Sequence, residues 1–170
     1  MSVAKTRNGG AFSRSNFVAI NKTATAGSTG DATEVDGAWV DRALTDYGIA
    51  LSAKLTIAYT TALAGGETLT FAVQMQDDAL GDGADPTDVL SAVAASVAAT
   101  GDSGGSTETG TIDIDLDLSG LRQFFRAQVT PNLSASGTDT AEWAAVIMLY
   151  GGDRQPSSQA IASLGGASSI

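Results

Sequence analysis

The stretch TIDIDLDLSG, residues 111–120, alternates apolar and polar side chains with a period of two. Ile112, Ile114, Leu116 and Leu118 form one set, and Asp113, Asp115, Asp117 and Ser119 form the other. A helix would scatter both sets around its circumference, whereas an extended strand sorts them onto opposite faces. A slip of one residue would bury three carboxylates, so desolvation holds the register. Half-buried strands are the only regular structure that suits this stretch, and the same period recurs along the chain.

In LSAKLTIAYTT (51–61), Leu51, Ala53, Leu55, Ile57 and Tyr59 share one face, with Lys54, Thr56 and Thr60 opposite. In ETLTFAVQMQ (67–76), Leu69, Phe71, Val73 and Met75 face inward. The Gly65-Gly66 pair between these runs predicts an antiparallel hairpin. LRQFFRAQVTPNL (121–133) predicts another strand. TAEWAAVIMLYGG (140–152) is apolar on both faces, which predicts a central or doubly covered strand. Residues 89–99, VLSAVAASVAA, fit helical and strand spacing alike, and a short helix or turn running into a strand is the expectation.

Turns rich in Gly, Ser, Thr and Asp separate these runs, and no βαβ rhythm appears. The predicted fold is all-β: an antiparallel β-sandwich, jelly-roll-like. Residues 1–30 predict an extended basic N-terminal arm, residues 31–155 the sandwich, and residues 156–170 a small polar tail that Pro156 opens. The first twenty residues contain no continuous apolar core of a signal peptide, and no run approaches the length of a membrane-spanning helix. No membrane partner is expected.

Composition narrows the chemistry. The chain has no cysteine and no histidine. That excludes disulfides, thiolate metal sites, Ser-His-Asp triads and Cys-His pairs. The formal net charge is −10, unevenly placed. Lys5, Arg7, Arg14 and Lys22 precede the first acid, Asp31, and residues 31–170 hold all nineteen acids against five bases. An acidic body of this kind does not attract nucleic acid. Neither an enzyme nor a cofactor is expected.

Three groups of residues are candidates for function. Asp113, Asp115 and Asp117 lie about 7 Å apart along one strand face, too far to converge on one ion without donors from elsewhere. They are candidates for an intersubunit contact, or plain solvated surface. The loop QDDALGDGADPTD (76–88) holds Asp77, Asp78, Asp82 and Asp85, the residues a cation would use. It matches neither the EF-hand pattern nor the glycine-rich calcium repeat, so no metal is assigned. Arg122 and Arg126 flank Phe124 and Phe125, as at a protein interface, or else are surface arginines paired with an aspartate.

Residues 121–154, LRQFFRAQVTPNLSASGTDTAEWAAVIMLYGGDR, resemble small structural proteins of tailed bacteriophages. The type includes capsid decoration (cement) proteins and related head proteins. The upstream SAKLTIAYTTALAGGETLTFAVQMQDD continues the likeness. The resemblance implies a non-enzymatic virion protein on the outer surface of the capsid. It would be a trimer or dimer that bridges and stabilises major capsid protein subunits. The basic arm around Lys5, Arg7, Arg14, Phe17 and Lys22 suits a capsid contact. The alternatives are a tail-tube or head-completion protein, or a calcium- or carbohydrate-binding surface module.

Overall fold

The computed structural model describes residues 13–44, 48–135 and 137–150, and contains two large antiparallel sheets packed face to face and a separate two-stranded ribbon. The long strands are β1 (Arg14–Thr25), β6 (Ser52–Leu63), β7 (Thr68–Asp78), β8 (Thr87–Thr100), β9 (Ser106–Asp117), β10 (Phe124–Leu133) and β11 (Thr140–Tyr150). Short strands β2 (Val35–Asp36), β3 (Val40–Asp41), β4 (Ala43–Leu44) and β5 (Gly48–Ile49) lie between β1 and β6. One sheet has the order β1-β11-β6-β9. The other has the order β2-β10-β7-β8, with β3 continuing the β2 edge along β10. This interleaving, in which the chain passes from sheet to sheet at almost every turn, is the strand order of a jelly roll.

The sheet-to-sheet passage corrects one expectation. β6 and β7 do not form a hairpin; they belong to opposite sheets, and Ala64–Glu67 arches between them. The alternation of the two runs is satisfied equally by a hairpin and by an arch, because both turn the apolar sets toward one core. Long-range pairing decides the matter. β6 pairs along its whole length with β9 and along nearly all of it with β11. Among the long strands, only β7 and β8 are consecutive and hydrogen-bonded to each other.

Residues 87–100 are strand β8 rather than a helix or turn. Its register against β7 shifts four times, which accounts for a sequence with no clean period. The expected acidic loop is shorter at its start, since β7 runs through Asp78. Part of the expected arm, 1–30, is strand. Arg14–Thr25 is an edge strand of the first sheet, pairing with β11 from Arg14–Leu149 to Thr25–Thr140. The sandwich therefore includes Arg14–Thr25. Residues 1–12 and the tail at 156–170 lie outside the described residues.

The core is the set that the period of two selects. Leu55, Ile57, Ile147 and Leu149 from one sheet meet Leu69, Val73, Met75, Phe125 and Val129 from the other, all essentially inaccessible. Each fully buried side chain of this size contributes about 1.5–3 kcal/mol. Tyr59, Phe71 and Trp143 form an aromatic bridge between the sheets, with ring centroids 6.1 and 5.7 Å apart. β11 occupies a central position, as its two apolar faces require.

Candidate functional site

The aspartates of β9 point outward, and Leu116 and Leu118 are buried behind them. The register sets Lys54 of β6 directly opposite Asp115 and Thr56 opposite Asp113. Lys54 Nζ lies 3.0 Å from Asp115 and 4.0 Å from Asp113. Thr56 Oγ1 donates to Asp113 at 2.6 Å. The hydrogen bond to Asp115 and its charge raise the Lys54 ammonium above its ordinary value. Asp117 turns back to accept the Ser119 N–H at 2.9 Å, and that bond, with one to the Ser119 hydroxyl, holds its carboxyl below the usual range. One ammonium thus serves two of the three carboxylates on this edge strand.

The acidic loop is organised around Arg122. Its Nε donates to Asp77 Oδ1 at 2.8 Å and its backbone N–H to Asp77 Oδ2 at 2.9 Å. Its Nη2 donates to the carbonyls of Asp77 and Asp85 and to Thr87 Oγ1. Its Nη1 lies 3.4 Å from the Asp85 carboxylate. The bond to Asp77 outweighs desolvation and raises the guanidinium further. Asp78 is buried, which pushes its carboxyl up. The N–H groups of Gly83, Leu80 and Ala79, with Arg122 nearby, win and hold it below the usual range. Asp82 accepts the Ala84 N–H at 3.0 Å. The four aspartates are thus spent on backbone N–H groups and one arginine. Among the described residues, no group of three or more acidic side chains is placed to hold a metal.

Arg126 belongs to a second network, on the outer face of the other sheet. Its Nε and Nη2 donate to Gln76 Oε1 at 2.9 and 2.7 Å, and its Nη1 pairs with Asp36 at 2.9 Å. Its guanidinium lies 4.8 Å over the Trp39 ring. Gln128, only 5% exposed, donates through Nε2 to Glu34 and Asp36, both at 2.7 Å. Both candidate arginines are therefore paired with aspartates of their own chain.

Arg42 carries a role that the residue pattern did not single out. It is buried, and its guanidinium donates to the carbonyls of Ala50, Leu118, Leu121 and Arg122. Burial lowers its pKa, against the opposing charge of Asp77. It gathers the β9–β10 connection and the start of β6 into one corner. The only sequence signal was a base amid short apolar runs, and no local period could reveal that four carbonyls would converge on it.

Of the basic candidates, Arg14 and Lys22 sit on β1, and Lys22 is exposed. Phe17 is on the same strand, and Lys5 and Arg7 lie outside the described residues. Lys22 and Glu142 border a groove of about 380 Å³ floored by Ala58 and Ala144. These side chains supply one base and one acid, and the structure brings them together with neither the arginine networks nor the aspartate ladder.

No family model matches the chain, and no curated protein matches it at a significant level. Among solved structures, the chain is similar to the PBSX exported protein XepA, with a TM-score of 0.42, 12% identity, and coverage of 82% of this chain and 38% of that one. It is also similar to VP2 in the subviral particle of infectious bursal disease virus, with a TM-score of 0.45, 11% identity, and coverage of 85% and 34%. Dimeric latent PorU from Porphyromonas gingivalis has a TM-score of 0.41 and 9% identity, with coverage of 84% of this chain and 13% of that one. The chain spans little more than a third of the first two proteins.

Proposed function

We infer that this chain is a non-enzymatic structural protein of a virion, a capsid decoration protein that bridges and stabilises major capsid protein subunits from the outer surface. The observation that carries the reading is the strand order. β1-β11-β6-β9 facing β2/β3-β10-β7-β8 is a jelly roll, an architecture of viral capsid domains and of lectins. The phage-like pattern of residues 121–154 supports the viral branch. The polar groups of the described residues also support a structural role, because they are spent on tying loops to strands. The basic N-terminal region, with Lys5, Arg7, Arg14, Phe17 and Lys22, is the shell contact in this reading.

Electron cryo-microscopy of particles purified with the protein tests the proposal. Density for the sandwich on the outside of the shell is the expected result, and density in the tail or nowhere overturns it. Because β1 belongs to the sandwich, the informative truncation removes residues 1–12 only. It should leave the body folded and reduce binding to shells that lack the protein; undiminished binding removes this segment from the contact.

The lectin branch has one specific observation in its favour, the half-buried Trp39 ring beside Arg126, Asp36 and Gln76 at a sheet face. Retention of the wild-type chain on immobilised glycans, lost in Trp39→Ala, would favour that reading.

A further inference from the structure

β9 is the outermost strand of its sheet, twelve residues long, and its pairing with β6 runs without a register shift. Its other edge therefore presents a straight row of backbone donors and acceptors, the template for an added strand. The inward side chains at this flank, Ile112 and Ile114, are only half-buried, so a further strand would cover them. The outward side is acidic: Lys54 pairs with Asp113 and Asp115, and Asp117 stands opposite Ser52. A second β9 cannot fill the slot, because like charges would stand opposite one another. The incoming strand must be basic, with its bases two residues apart.

This chain contains one such segment. In SVAKTRN (2–8), Lys5 and Arg7 are spaced i, i+2, with Ala4 and Thr6 between them and no acid within reach. An extended conformation puts the two bases on one side, about 7 Å apart, the spacing of the β9 aspartates. Ala4 and Thr6 then face Ile112 and Ile114.

The same copy is poorly placed to supply the segment. Through the paired registers, Arg14 lies level with Leu116 on β9. The slot beyond β9 is four strand spacings from β1, about 19 Å. The chain from Arg7 to Arg14 spans at most about 24 Å, which leaves too little to round the sheet and turn into it. We propose that residues 2–8 of one copy add as a strand to the β9 edge of a second copy, Lys5 and Arg7 facing its Asp113, Asp115 and Asp117. The contact concerns copies of this chain in solution and stands whether or not the protein sits on a shell.

Sedimentation of the full chain should show self-association that weakens as salt rises. Lys5→Glu with Arg7→Glu should weaken it at least about tenfold, and adding Asp113→Lys with Asp117→Lys should restore it. Thermal melts of each variant separate loss of contact from loss of fold. The absence of native cysteine allows a direct check. Mixed Arg7→Cys and Asp115→Cys single variants should form the mixed disulfide dimer in preference to either symmetric one. A monomeric wild type overturns the proposal, as does association indifferent to the charge reversals. So does a double variant, Arg7→Cys with Asp115→Cys, that closes within one chain.

Discussion

Arg122 holds Asp77 twice, once through its side-chain Nε at 2.8 Å and once through its own backbone N–H at 2.9 Å. The two residues are forty-five positions apart, with the acidic loop, β8 and β9 between them in the chain. The pair fixes the end of β7 to the start of the β10 segment, and the remaining guanidinium donors reach across to Asp85 and Thr87 at the start of β8. The loop at 79–86 is therefore closed by an arginine that lies outside it.

Replacing Arg122 with Met should loosen this loop while leaving the sheets intact. Amide exchange at Gly83 and Ala84 should speed up, and the melting temperature should fall. Arg122→Lys should not restore protection, because one ammonium cannot reproduce donors aimed at five oxygen-bearing groups. Unchanged exchange at Gly83 in Arg122→Met would show that the loop holds itself.

Acid should weaken the same corner. The Asp78 carboxyl titrates below its unfolded value of about 3.9, so the stability it contributes is fully present above that pH and is lost as pH falls through the lower folded value. Asp117 has the same sign. Melting temperature should drop as pH falls below about 4. Asp78→Asn should be less stable than wild type at neutral pH but lose less on acidification. Parallel melting curves across that window would remove Asp78 from the account.

Arg42→Met should cost on the order of 3 kcal/mol, since it strips donors from four carbonyls in a buried corner. That corresponds to a fall in melting temperature of about 6–12 °C. A calorimetric shift under about 2 °C would mean that water or a neighbouring donor replaces the guanidinium.

Gly110 stands opposite Tyr59 in the β6–β9 register, and a Cβ built there would lie 2.5 Å from the tyrosine oxygen. That hydroxyl donates to the Ala98 carbonyl of β8 at 2.6 Å, linking the two sheets. Gly110→Val should push the ring aside and cost about 1–2 kcal/mol through the lost bond. In Tyr59→Phe the bond is already gone, so Gly110→Val should cost less there. Equal costs in both backgrounds would show that the bond survives the substitution.

Local pattern carried most of the strands and their faces, though not β8, where helical and strand spacing fit alike. TIDIDLDLSG alternates in the structure as it does in the sequence, because a period of two has only one way to separate carboxylates from a core. β11 is central for the same reason: apolar side chains on both faces need cover. Which strands meet was not legible. The Gly65-Gly66 turn suits a hairpin and an arch alike, and only the competition for partners across the whole chain places β6 and β7 in different sheets. Arg14–Thr25 looks like an arm by composition and becomes β1 because β11 offers it an edge. The pairing of Arg122 with Asp77, and the four carbonyls around Arg42, depend on loops brought together over separations of up to eighty residues. Desolvation acts on each residue locally and is written in the sequence. Hydrogen-bond partners are chosen by which strands and turns lie within reach, and the tertiary fold alone decides that.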